Sequence, residues 1–244
     1  MNAIITLTKR ELFHYFATPV ATVFVVIFIA LNALAAFQMA QLFEVGQATL
    51  TSFFNMQPWL YLFFIPALTM RLWAEERKSG SIELLLTLPI STAQAVIAKF
   101  LATWLFAGIA LIGTMPLWLT INYLGDPDNG VILASYLGSW LMSAGFIAIG
   151  QCLSATTRNQ VIAFVVSVVV CFVFVFIGAP ALLEAFTQWL PTRAIDALST
   201  LSFSGHFQNI ARGVLDLRDV LFFIVMSTAW LLATWAVVER NKAE

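Results

Sequence analysis

Charge is what this sequence has least of. Lys and Arg number 12, Asp and Glu 13, together 10% of 244 residues, where an ordinary soluble domain carries about 25%. So few charges cannot cover a folded surface in water, and lipid must be the solvent for much of the chain. The net charge of −1 supplies no basic surface for nucleic acid.

Cysteine is scarce too. Cys152 and Cys171 lie in or beside apolar runs, with no C-x-x-C and no Cys/His cluster. That excludes a disulfide framework and leaves no metal site to expect; two small hydrophobes inside helices is the reading. Motifs of chemistry are missing as well. There is no H-E-x-x-H, no G-x-S-x-G and no Walker A loop, so no catalytic residue and no bound cofactor is expected. The predicted span interiors lack the Asp, Glu, His or Arg of an ion relay, which counts against a secondary carrier. Their polar groups are amides, such as Asn32 and Gln38. Either a substrate path or hydrogen bonds between helices would use them.

What is abundant is apolar. Hydrophobic residues make up 61%, with 22 Phe and 8 Trp, as lipid-facing surface and interfacial belts require. Residues 2–17 read as an amphipathic helix lying in the interface, with Ile5, Leu12, Phe13 and Phe16 on one face and Arg10, Glu11 and His14 on the other. Lys9 and Arg10 before an apolar run, and Ala33-Leu34-Ala35 after it, resemble a signal peptide. The run continues to about Met39, however, long enough to span, and is read as a retained helix. The chain thus reads as one all-α transmembrane domain with six spans: 20–41, 53–73 (with Pro58 and Pro66 inside), 98–123, 131–153, 160–183 and 218–238. Ser91 with Gln94, and Thr157 with Gln160, fit helix caps. Residues 125–130 form a tight turn, and Ser135, Ser139 and Ser143 make a small-residue stripe for close packing. Residues 184–217, with His206, Arg212 and Asp216, read as short ordered pieces at an interface.

Basic residues give a direction. Lys9, Arg10, Arg71, Arg77, Lys78, Lys99, Arg158, Arg240 and Lys242 fall on one side of a six-span topology; Arg193, Arg212 and Arg218 fall on the other. The richer side is cytoplasmic by the positive-inside rule. Both termini and the 74–97 segment are then inside, and 184–217 is outside. His14 and His206 end up on opposite sides and cannot cooperate.

The segment from Glu75 to Lys99 is the most informative. It is charged, then apolar over Ile82–Leu88, then broken at Pro89, then capped. A short helix with such a face fits a hydrophobic groove on another protein, rimmed by Glu75, Glu76, Arg77 and Lys78; the alternative is a helix resting in the lipid interface.

Glu75-Glu76-Arg77-Lys78-Ser79-Gly80-Ser81-Ile82-Glu83-Leu84-Leu85-Leu86-Thr87-Leu88-Pro89-Ile90-Ser91, followed by Lys99-Phe100, resembles the E-E-K/R-x-x-G-S/T-L/I-E-x-L-L-S/T-x-P-V/I-S/T motif of ABC-2 type transporter permeases. Ser81 stands where Thr is commoner. His206-Phe207 with Arg212-Gly213-Val214-Leu215-Asp216-Leu217-Arg218-Asp219 is similar to the loop before the last span of that family, in its gliding-motility and nitrous-oxide-reductase-maturation branch. The resemblance implies a type-2 ABC exporter fold in a bacterial inner membrane. It implies a second copy of the chain as partner, and a separate ATPase subunit that holds ATP and Mg. Residues 81–88 would be the coupling helix, so Glu75, Glu76, Arg77, Lys78, Gly80, Ile82, Glu83, Leu84 and Leu85 would couple to the ATPase. Spans one, two and five would line the dimer interface, which draws attention to Asn32 and Gln38. An auxiliary membrane protein with a periplasmic domain is a further expected partner. The rival expectation is a non-transporting anchor that passes ATPase motion to such a protein.

Overall fold

A computed structural model of the chain describes residues 3–39, 49–80, 90–179, 182–184 and 191–241, apart from the side chains of 38, 39 and 192. Ile82, Glu83, Leu84 and Leu85, with the rest of 81–89, lie outside the described residues, as does the side chain of Gln38. Among the described residues every regular element is a helix and there is no strand.

Among the described residues, four helical stretches are long and apolar enough to cross a membrane: Pro19–Phe37, Thr92–Leu124, Asn129–Thr156 and Leu217–Arg240. The elements in chain order are α1 (Ala3–Ala17), α2 (Pro19–Leu34, continued as a π-helical turn over Ala35–Met39), α3 (Thr51–Thr69) and α4 (Ala74–Ser79). Then come α5 (Thr92–Ile112), α6 (Met115–Leu124), α7 (Asn129–Thr156), α8 (Gln160–Phe176), α9 (Thr192–Ser199), α10 (Phe203–Ala211) and α11 (Leu217–Arg240). α3 has the length of a span, but Asn55, Gln57 and two prolines dilute its apolar character.

Two local features differ from the expectations. The third span starts at Thr92 and breaks at Gly113 and Thr114 instead of running unbroken over 98–123. Pro116 has no N–H to give to the preceding turn. Thr114 closes the gap, donating its hydroxyl to Leu111 O at 2.7 Å and meeting the Tyr136 hydroxyl at 3.1 Å. The start of α8 is capped by Asn159, not Thr157: Asn159 Oδ1 accepts from the Val161 amide at 2.9 Å. Thr157 instead tightens the turn by accepting from the Asn159 amide. The Ser91–Gln94 pair, by contrast, forms both reciprocal bonds of a capping box.

α1 buries one face against the bundle. Thr8 is buried and Leu12 and Tyr15 pack inward, while Ile5, Phe13 and Phe16 are exposed. The inward stripe also carries Glu11, so the helix turns its apolar side outward, as a helix in contact with lipid does.

α7 is the axis of the bundle. In its span, 78% of residues are buried, against 28% in α2 and 17% in α11. It holds no charged residue, and Ser135, Ser139 and Ser143 are all buried along it. The Ser139 hydroxyl donates back to Ser135 O, satisfying itself within the helix. Gly138 lets α10 approach: a Cβ there would stand 2.6 Å from Ile210 Cγ2. α10 thereby plugs one end of the bundle, with Phe203 fully buried among Phe146, Phe174, Phe222 and Phe223. On the flank, Trp104 and Trp140 stack at 4.1 Å between α5 and α7. Each indole N–H donates to the other's carbonyl, at 2.9 and 3.2 Å.

Candidate functional site

The chain segments singled out by charge meet at one end of the bundle. Ser154, near the end of α7, is the anchor. Its Oγ donates to Met70 O at 2.9 Å and accepts from the amides of Trp73 and Ala74 at 3.1 and 3.2 Å. The turn after α3 and the start of α4 are thus pinned to α7. Arg77 Nη1 donates to Ala155 O at 2.6 Å, and Asn241, beyond α11, donates to the same carbonyl at 3.3 Å. Gln151 donates to Val96 O at 3.0 Å, adding α5.

Lys99 occupies the centre. Its side chain is only 4% exposed, and Nζ lies 2.8 Å from Glu76 Oε1 and 3.4 Å from Glu11 Oε2. It also sits 5.2 Å from the centroid of the buried Trp73 ring. One ammonium therefore joins α1, α4 and α5. Burial pushes the Glu11 carboxyl up, but the Lys99 charge, with hydrogen bonding and charge from Arg10, outweighs it. The group is held below its ordinary 4.5. Close by, the Tyr15 hydroxyl lies 3.2 Å from Leu68 O and 2.9 Å from Thr103 Oγ1. Burial raises its pKa far above the usual phenol value, so it stays a neutral donor.

The expected coupling residues take distinct positions. Glu75 receives a forked pair of bonds from Arg71 at 3.0 and 3.3 Å. Glu76 and Arg77 turn into the bundle as described. Lys78 and Gly80 are exposed. Gly80 ends α4 at φ +74, a left-handed conformation that glycine adopts without the penalty a Cβ brings. It directs the chain out of α4 into 81–89.

Asn32 is fully buried on α2. Its amide donates to Phe28 O at 2.8 Å, and Gln57 of α3 donates to its Oδ1 at 2.6 Å. At the opposite end, His206 is nine-tenths buried, with Nδ1 2.5 Å from Asp219 Oδ1 and Nε2 2.9 Å from Thr200 O. Its ring stacks on Phe222 at 4.0 Å. Arg212 is exposed, and Asp216 caps α11 by accepting from the Arg218 amide. His206 therefore stands apart from Arg212 and Asp216 in environment. Among the described residues no three His, Cys, Asp or Glu side chains gather as metal ligands would.

Sequence reasoning passed over Glu11 and Ser154, and gave Lys99 no role beyond its place after the motif. Lys99 and Asp219 also sit at span ends that were read as free of interior charge, and both are buried there. Signals existed: Lys99 is the single charge in Thr92–Ile112, and Glu11 the single acid in Ala3–Ala17. A lone charge in an apolar helix has to find a partner.

A family model described as ABC-2 family transporter protein matches residues 29–238. The chain is also similar to the probable multidrug ABC transporter permease YbhS of Escherichia coli strain K12. The two are 26% identical over 184 residues, covering 71% of this chain and 47% of that protein. The YbhS of Escherichia coli O157:H7 matches with the same identity and coverage. The chain spans about half the length of these curated relatives.

Proposed function

The chain belongs to the ABC-2 transporter family, and from that premise we propose that it is the permease half of an ATP-driven exporter whose ATPase is a separate subunit. In this reading α3 and α8 join the four long apolar helices as membrane spans, giving six. Both termini, α4 and the α7–α8 turn then face the cytoplasm of a bacterium from its inner membrane, a reading the distribution of Lys and Arg supports. Two copies assemble with two ATPase subunits. Asn32 and Gln38 belong to the candidate substrate path, which would open at the Asn32–Gln57 contact. An auxiliary membrane protein with a periplasmic domain would meet the end that carries His206, Arg212 and Asp216.

The observation that carries this reading is the Lys99 centre. Segment 81–88 is flanked by α4 on one side and α5 on the other. α4 and α5 are joined through Glu76 and Lys99, and α1 is joined to both through Glu11. A displacement of 81–88 by an ATPase would therefore reach the bundle through packed, hydrogen-bonded helices and not through a slack loop. Ile82, Leu84 and Leu85 supply the apolar face for the ATPase groove, and Glu83 and Lys78 its polar edge.

The test is co-purification. Glu83→Lys, or deletion of residues 81–88, is expected to abolish association with the ATPase while the permease still inserts in the membrane. Retention of the ATPase by the deletion variant would sink the coupling assignment.

A further inference from the structure

At the end of the bundle opposite Lys99, one histidine ring holds three helices. His206 belongs to α10, Asp219 to the first turn of α11, and Thr200 closes α9. Both side chains are buried, His206 at 9% exposure and Asp219 at 3%. Nδ1 meets Asp219 Oδ1 at 2.5 Å and Nε2 meets Thr200 O at 2.9 Å. A backbone carbonyl only accepts, so Nε2 must carry a hydrogen. A second hydrogen has to lie between Nδ1 and the carboxyl group. A neutral imidazole facing an ionised carboxylate supplies just one of the two, so the closed arrangement holds one extra proton. Two features put that proton on the ring. Asp219 sits where the helix dipole of α11 favours a carboxylate, and the ring lies on the face of Phe222 at 4.0 Å, which suits a cation.

We infer that His206 is a proton-operated latch on α9: the doubly protonated ring pins the end of that helix to α10 and α11, and loss of one proton frees it. The hydrogen that remains belongs on Nδ1, because a carboxylate accepts more strongly than a carbonyl. Nε2 then turns a lone pair towards Thr200 O, and the tie to α9 becomes a repulsion. α9 has little else to hold it. None of its described residues is buried, and Ile195 and Leu198 are only half-buried. α10 stays in place, because Phe203, Phe207 and Ile210 are fully buried. Nothing else on the packed elements is placed to take over the titration. α3, α7 and α8 carry no charged residue. Their titratable Tyr61, Tyr136, Cys152 and Cys171 make no hydrogen bond to the pair. Glu184, Arg193, Asp196, Arg212, Asp216 and Arg218 are exposed.

The test uses the chain alone in nanodiscs, without an ATPase, so its outcome is separate from that of the coupling segment. Spin labels are placed at Ala197→Cys on α9 and Val225→Cys on α11, both exposed, while the native Cys152 and Cys171 are buried. The inter-label distance is followed through a pH series across the histidine range. One docked distance is expected at acid pH. A displaced component should appear as pH rises, its ratio to the docked one growing about tenfold per pH unit, the slope of a single proton. Asp219→Asn should stay docked throughout, because the Asn amide donates to a neutral ring and leaves Nε2–H on Thr200 O. His206→Gln should abolish the pH response. The chain has two histidines, so in a His14→Gln background the nitrogen-15 spectrum reports His206 alone. Both nitrogens should be protonated at acid pH, with Nε2 losing its proton first. A distance that ignores pH, a response that survives His206→Gln, displacement of α9 in Asp219→Asn, or a ring that keeps its proton on Nε2 would each overturn the latch.

Discussion

At the scale of single residues, Lys99 decides most. An ammonium buried against two carboxylates is stable as a set and costly to break. Removing one member leaves uncompensated buried charge, at about 3–5 kcal/mol. Lys99→Leu is therefore expected to lower the melting temperature of the detergent-solubilised protein sharply. The triple variant with Glu11→Gln and Glu76→Gln should recover much of the loss, because it removes the stranded charges as well. If the triple variant melts no higher than Lys99→Leu, the loss lies in packing and not in charge. Glu11 adds a pH dependence. Its carboxyl is held below 4.5 in the fold, so the folded state binds this proton less readily than the unfolded chain does. The stabilisation is present above 4.5 and is lost as pH falls through the lowered value. A melting curve followed from neutral pH downward should lose stability in that window, and Glu11→Gln should flatten that part of the loss.

At the scale of helices, hydropathy made the apolar runs legible, because a run long enough to span is a long-range average that no single residue can upset. Local detail was less legible. The break at Gly113 comes just before Pro116, and the hydroxyl that meets Thr114 there belongs to Tyr136, distant in sequence. The cap of α8 went to Asn159 because its shorter reach to the Val161 amide wins over the more distant Thr157. The inward face of α1 was not legible in the helix itself, because what holds Glu11 there is Lys99, 88 positions away. The small-residue stripe of α7 was visible from spacing alone, but the role of Gly138 in admitting α10 was not. Gly138→Val would drive a side chain into Ile210 in a well-filled interior, which typically costs about 1–3 kcal/mol. The expected outcome is a lower melting temperature together with increased proteolysis near Phe203–Ala211. A normal melt would mean that α10 shifts freely and is not wedged.

At the scale of the whole molecule, the two ends are built differently. One end is tied by charge and by hydrogen bonds to single atoms: Ser154 Oγ, Ala155 O and Lys99 Nζ each serve two or more segments. The other is closed by aromatic packing around Phe203 and by the His206–Asp219 contact. Polar ties to single atoms have two discrete arrangements, made or broken, whereas a packed aromatic plug resists partial movement. In the proposed exporter, the tied end would therefore be the one that responds to the ATPase, and Arg77 is its most separable tie. It binds a backbone carbonyl on α7 while its neighbours Glu76 and Gly80 keep α4 and the exit to 81–89 in place. Arg77→Ala is expected to leave the ATPase subunit bound, because the docking segment is intact. Coupling between sites typically amounts to about 1–3 kcal/mol, so loss of this tie should reduce the permease's effect on ATP turnover by about tenfold. The measurement is ATP hydrolysis by the reconstituted complex against the ATPase alone. If Arg77→Ala couples as well as the parent, the path from α4 into the bundle runs through Glu76 and Lys99 without α7, and the Lys99→Leu variant should then carry the whole loss.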